Sequence, residues 1–118
     1  MKEGTMSDCL FCRIVRREIP AQVVGEDEWC LAFRDIAPQA PVHILVIPKA
    51  HTASLEAVDD AAGVVGAMAR MAQQVARAEG VAATGYRTVI NTGSDGGQTV
   101  GHLHLHLLGG RDLAWPPG

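Results

Sequence analysis

The stretch GHLHLHLL at positions 101–108 constrains this chain more than any other. Side chains of a β-strand point alternately to opposite faces, so His102, His104 and His106 share one face while Leu103, Leu105 and Leu107 share the other. The spacing predicts a strand over 101–108 whose leucines pack on a helix and whose histidines face a cleft or solvent. Along such a strand the outer two histidines stand roughly 13 Å apart, too far for one metal ion to take all three. A neutral imidazole keeps a free lone pair near pH 7 and can attack phosphorus, after which the P–N bond is labile. The plain alternative is an amphipathic strand with a polar outer face.

The loop before this strand gives the row its chemistry. In NTGSDGGQT (91–99), Gly93, Gly96 and Gly97 let backbone amides approach an anion, and Gln98 and Thr99 add neutral donors. Asn91 closes the preceding strand, read over Tyr86–Asn91. The loop is neither a P-loop nor a GxGxxG turn, and alone it reads as a hairpin connection. Feeding directly into H-x-H-x-H, it reads as a cradle for phosphate oxygens.

Upstream, CLFCRIVRR predicts a short helix over Cys9–Arg17, capped by Asp8 or Ser7, with Leu10, Phe11 and Ile14 on one face. Gln22–Gly25 and Trp29–Phe33 form a hairpin with an acidic turn, and APQAP (37–41) is a stiff loop. Val42–Pro48, apolar on both faces except at His43, is a central strand. Asp59–Gly80 carries helical periodicity, with Asp59 or Asp60 to cap it and Gly80 to end it. Gly63 and Gly66 weaken that helix by about 1 kcal/mol each, or permit its close packing on a sheet. Five strands and two helices in this order predict an α+β domain with a mainly antiparallel sheet. Residues 1–8 read as a flexible tail and 9–118 as a single domain.

Composition narrows the classes. A chain of 118 residues holds one core. A net charge of −3 argues against a general nucleic-acid binder. No apolar run approaches the ~20 residues of a membrane span, and Met1–Asp8 lacks a signal-peptide pattern. Three cysteines, an odd number, fit a reducing, cytoplasmic setting. Cys9 and Cys12 form a C-x-x-C half-site for zinc or a pair of reduced thiols, and Cys30 reads as core.

The segments REIPA (17–21), LAFRDIAPQAPVHILVIPK (31–49), GYRTVINTGSDGGQTVGHLHLHLLGGR (85–111) and WPPG (115–118) resemble the histidine triad (HIT) superfamily, and within it the Hint branch of purine nucleoside phosphoramidases. The resemblance implies a two-layer HIT-like α+β fold whose sheet continues across a homodimer. It implies hydrolysis of adenosine or guanosine 5′-phosphoramidates through a nucleotidyl-histidine, with AMP or GMP as product and no cofactor required for catalysis. On this likeness His104 is the nucleophile. His106, Asn91, Gly97, Gln98 and Thr99 hold the α-phosphate, Thr99 also serving catalysis, and His43 lies behind His104 to orient it or relay its proton. Asp35 takes the ribose hydroxyls, Leu10, Phe11, Ile14, Phe33, Ile36 and Leu45 wall the base, and Trp115 borders the partner's site. Cys9, Cys12, His51 and His102 match the ligands of a structural zinc in some bacterial relatives. Thr99 replaces the family's common Ser, Gly101 its aromatic residue and Ala114 a polar one, changes that bear on the amine. Rival readings are a dinucleoside polyphosphate hydrolase, a nucleotide-binding scaffold and a zinc module.

Overall fold

The computed structural model describes residues 8–118; expectations placed on residues 1–7, most of the tail and Ser7 as a cap, lie outside them. The elements run α1 (Leu10–Val15), β1 (Val23–Glu26), β2 (Cys30–Arg34), β3 (Val42–Pro48), α2 (Ala61–Ala78), β4 (Tyr86–Val89) and β5 (Leu105–Gly109). The five strands form one sheet in the order β1-β2-β3-β5-β4, every neighbouring pair antiparallel. This is the α+β fold expected, with β3 at the centre.

Strand alternation divides the core in two. Cys30, Ala32, Ile44, Val46, Leu105 and Leu107 point to one face, where Met68, Met71, Ala72, Val75 and Ala76 of α2 cover them. Leu31, Phe33, Leu45 and Ile47 point to the other, where Phe11, Cys12 and Ile14 of α1 close over them. Asp60 caps α2 by accepting a hydrogen bond from the Gly63 amide. Gly80, at φ +78°, ends it, with the Val81 amide donating back to the Ala76 carbonyl. Neither helical glycine serves packing on the sheet. A Cβ at Gly66 would meet open space, and one at Gly63 would meet only the Asp60 side chain. The close approach lies across the interface instead: a Cβ at Gly25 of β1 would stand 3.0 Å from Met71 Sδ and 3.1 Å from Val75.

Most element ends differ from expectation by one or two residues, and two differences at element ends have a clear physical cause. The α1 cap is Cys9, whose Sγ accepts from the Cys12 amide, and not Asp8. β5 starts at Leu105 rather than Gly101. Val46 pairs with Leu105, so the ladder would next reach Pro48, which has no N–H to give. The chain over 102–104 is held by other means: the Leu103 amide donates to the Thr52 carbonyl and His102 Nε2 to the Pro48 carbonyl.

Candidate active site and sulfur–histidine cluster

The alternation read from the sequence survives although only His106 lies in regular strand. Leu103, Leu105 and Leu107 enter the α2 core, and the histidines take the opposite face. Of the cleft or solvent expected for them, open solvent does not apply to His102 and His104. His102 is fully buried and His104 nearly so, because α1 lies over them: the Phe11 ring meets His104 edge-on at 5.2 Å and His102 at 5.8 Å.

Each triad imidazole has one nitrogen committed to a defined partner, which settles the tautomer of each. His102 Nε2–H donates to the Pro48 carbonyl at 2.9 Å, leaving Nδ1 with a lone pair. His104 Nδ1–H donates to the His102 carbonyl at 2.8 Å. Its Nε2 therefore keeps the lone pair, and it is not among the buried, unpartnered atoms of the described residues. His43 and His106 are diagonal neighbours across the β3–β5 ladder, where His43 pairs with Leu108 and His106 with Leu45. The Gln39 amide donates to His43 Nδ1 at 3.0 Å, so His43 carries its proton on Nε2 and directs it to His106 Nδ1 at 2.9 Å. His106 then bears its own proton on Nε2. The expectation for His43 needs correction: it lies against His106, and meets His104 only through that ring, whose centroid is 5.0 Å from that of His104.

Burial lowers the pKa of His43, opposed by the carboxylate of Asp35, whose Oδ2 is 3.4 Å from His43 Nε2. Burial, and then the neighbouring His104 and His43, hold His106 down at about 4. Both rings are thus neutral at pH 7. Asp35 also accepts the Ala37 amide on Oδ1, so it caps the turn that follows β2 while facing His43.

The glycine loop is braced by side chains expected to grip phosphate. Gln98 Nε2 donates to the Ala53 and Val100 carbonyls and its Oε1 accepts the Gly93 amide. Asn91 Nδ2 donates to the Gly96 carbonyl. Both side-chain N–H groups of Gln98 are spent on the loop, which corrects the expectation that they hold an anion, whereas Asn91 spends one of its two. Gly97, at φ +81°, and Thr99 remain exposed on the loop. Of the residues expected to wall a base pocket, Phe11, Ile14, Phe33 and Leu45 are buried together, whereas Leu10 is half-exposed and Ile36 wholly exposed, so neither belongs to that cluster. Trp115 is 82% exposed, while Arg87 holds the tail through the Leu113 and Ala114 carbonyls. A cleft of about 970 Å³ lies elsewhere, lined by Trp29, Val64, Ala67 and Arg70 among others, and includes none of His43, His104 and His106.

Cys9, Cys12, His51 and His102 converge, as their expectation requires. The separations are 3.2 Å between the His51 and His102 Nδ1 atoms, 3.3 Å from Cys9 Sγ to His102 Nδ1, 3.4 Å from Cys12 Sγ to His51 Nδ1 and 3.6 Å from Cys12 Sγ to His102 Nδ1. Donors around a tetrahedral zinc, at about 2.0–2.1 Å for nitrogen and 2.3 Å for sulfur, stand about 3.3–3.6 Å apart. The donor set fits zinc in chemistry and spacing. Asp35, His43 and His106 also lie within metal-ligand reach of one another, with the facing ring nitrogens of His43 and His106 hydrogen-bonded to each other. Gln39 and Arg111 carried no expectation. The Arg111 guanidinium grips the Gln39 carbonyl through Nε and Nη2 at 3.3 and 3.0 Å. The doubled glycine before Arg111 was the one signal pointing there.

Comparison with known proteins agrees with this geometry. Residues 16–113 match the HIT domain family. An uncharacterized HIT-like protein of Synechococcus elongatus is 61% identical over 112 residues, covering 94% of this chain and 97% of its own length. A HIT family hydrolase from Legionella pneumophila is 54% identical with a TM-score of 0.90, covering 94% of this chain and all of that one. A Zn-bound histidine triad family protein from Mycobacterium smegmatis is 39% identical with a TM-score of 0.80, over 92% of this chain and 78% of that one. With the triad, its fold and these relatives in agreement, the chain belongs to the HIT family.

Proposed function

We propose that this protein hydrolyses the P–N bond of purine nucleoside 5′-phosphoramidates, releasing an amine and AMP or GMP. The observation that carries this is the pairing of a bare His104 Nε2 with an N–H on His106 Nε2, both tautomers fixed by hydrogen bonds on the far side of each ring. His104 Nε2 attacks phosphorus, forming a P–N bond to the imidazole as the bond to the amine breaks. The amine leaves with a proton relayed from solvent through the Thr99 hydroxyl, and the water that attacks next returns a proton to solvent. Water then attacks phosphorus, the P–imidazole bond breaks, and the nucleoside monophosphate departs. His106 Nε2–H donates to a phosphoryl oxygen as charge redistributes, a preorganised donor with little reorganisation cost. The Gly97–Thr99 turn supplies the other side of the cradle. Asp35 takes the ribose.

Cys9, Cys12, His51 and His102 would hold a structural zinc, whose contribution is to tie α1 to the sheet beside the site. His102 thus serves the metal with Nδ1 and the nucleophile with its carbonyl. The carried chemistry needs no cofactor. The three free thiols suit a reducing cytoplasm, where we place the protein.

Rapid quench of the protein with an adenosine phosphoramidate, followed by intact mass measurement, tests the reading. An adduct of one AMP on the native chain, absent from His104→Ala, is expected, with kcat down by at least about 10³-fold in the variant. Faster turnover of diadenosine polyphosphate than of AMP-amine would move the assignment to the dinucleotide hydrolases. No adduct and no turnover with either substrate class would refute enzymatic phosphoryl transfer.

A further inference from the structure

The carbonyl of Gln39 and its amide face two different systems. The amide points to His43 Nδ1 at 3.0 Å, and the carbonyl receives the forked guanidinium of Arg111. Arg111 reaches back because the chain folds sharply after β5. Gly110 takes φ +89°, and a Cβ there would stand 2.9 Å from Pro41, so this turn accepts only glycine without rearrangement. Arg111 Nη1 also donates to the Asp112 carbonyl at 2.9 Å, fixing the guanidinium at its own end. The loop is closed from the other side by the Ala37 amide on Asp35 and the Asp35 amide on the His43 carbonyl.

The His43–His106 pair has two neutral arrangements. In one, His43 Nε2–H donates to His106 Nδ1, and His106 presents N–H at Nε2. In the other, His106 Nδ1–H donates to His43 Nε2, His43 carries its proton on Nδ1, and His106 presents a lone pair at Nε2. The second would point the His43 Nδ1–H at the Gln39 N–H, donor against donor. Asp35 Oδ2, 3.4 Å from His43 Nε2, favours the first arrangement again by attracting that proton. A lone pair facing a phosphoryl oxygen would repel it, whereas an N–H stabilises it.

We infer that Arg111 is a positioning residue: by clamping the Gln39 carbonyl it holds the residue whose own amide fixes the proton of His43 and, through it, the N–H that His106 presents to the substrate. Arg111 touches neither nucleophile nor phosphate and acts only through the loop backbone. The inference deepens the phosphoramidase reading and rests on it for its kinetic consequence, but not for the tautomer itself.

The test measures both separately. Imidazole ¹⁵N spectra of the substrate-free protein report the tautomer of His106 directly. The native protein and Arg111→Lys are expected to show protonated Nε2 and bare Nδ1, while Arg111→Ala shows the two forms mixed. Since only the correct tautomer is competent, kcat of Arg111→Ala is expected to fall by up to about tenfold with KM little changed, and Arg111→Lys to recover most of it. An unaltered His106 spectrum in a folded Arg111→Ala protein overturns the inference even if phosphoramidate turnover is observed. Mixed tautomers in a protein without phosphoramidate turnover would uphold it and refute the substrate assignment instead. Should Arg111→Ala not fold, Arg111→Met, which keeps the aliphatic stem but offers the Gln39 carbonyl no donor, supplies the same comparison.

Discussion

At the scale of single residues the site is a set of protons held in place by backbone groups: Pro48 and His102 carbonyls accept from His102 and His104, and the Gln39 amide donates to His43. Such an arrangement depends on neutral rings, and acid opposes it. His106 sits at about 4 in the fold against its ordinary 6.5, chiefly through burial. Between those values the unfolded chain binds more protons than the native one, so stability falls as pH falls through that window. Above pH 6.5 the contribution is complete, and below about 4 it is gone. At about 1.4 kcal/mol per unit the loss from His106 is on the order of 3 kcal/mol. Denaturant melts at pH 7.5 and pH 4.5 measure it: His106→Asn should show a smaller acid loss than the native protein by about that amount. An equal loss in both would mean that His106 titrates normally in the fold. His43, lowered in the same direction by burial, adds to the native slope and remains in the variant.

At the scale of elements, the sequence showed most where side-chain pattern alone decides the outcome. Period-2 alternation placed Leu103, Leu105 and Leu107 on the α2 core and the histidines on the other face. The ends of the elements were harder to read, because partners distant in sequence set them. β5 stops short of Gly101 because Pro48 cannot continue the ladder, and α1 is capped by a thiol rather than a carboxylate. Gln98 looked like a phosphate ligand by its polarity, yet its acceptor is the carbonyl of Ala53, 45 residues away. The glycines of α2 looked like packing sites, whereas the contact belonged to Gly25 of a different element. α1 itself is six residues long, too short to persist by helix propensity. It is held by the burial of Phe11 and Ile14 and by the convergence of its two thiols on His51 and His102. Metal removal should therefore act on this element first. Zinc at a hundredfold excess over its Kd contributes about 2.7 kcal/mol. Chelation of zinc-loaded protein, or Cys12→Ser, should lower the melting temperature and raise amide exchange over residues 10–15, leaving β2 and β3 protected. Absence of zinc by elemental analysis, with a melt indifferent to chelator, would remove the metal from the account.

At the scale of the whole molecule, the sheet ends unequally. β1 is one edge, with a register break between Val23 and Gly25 and with Glu26 ion-paired to Arg17 and Lys49, features that discourage further pairing. β4 is the other edge, four residues without a break, and its Arg87 secures the C-terminal tail alongside. That tail holds Trp115 largely in solvent, an arrangement that costs apolar exposure in the monomer. Pairing of β4 with its copy about a twofold axis would extend the sheet to ten strands and carry each tail toward the other subunit's triad. The expected mass by sedimentation equilibrium is thus twice the 12.5 kDa of the chain. In such a dimer Trp115→Ala should change the preference among amine leaving groups without changing the mass, because the indole meets the partner's substrate and not its own fold. A monomer at micromolar concentration that turns over phosphoramidate at full rate would refute the assembly while leaving the chemistry of His104 intact, since every hydrogen bond that prepares that ring lies within one chain.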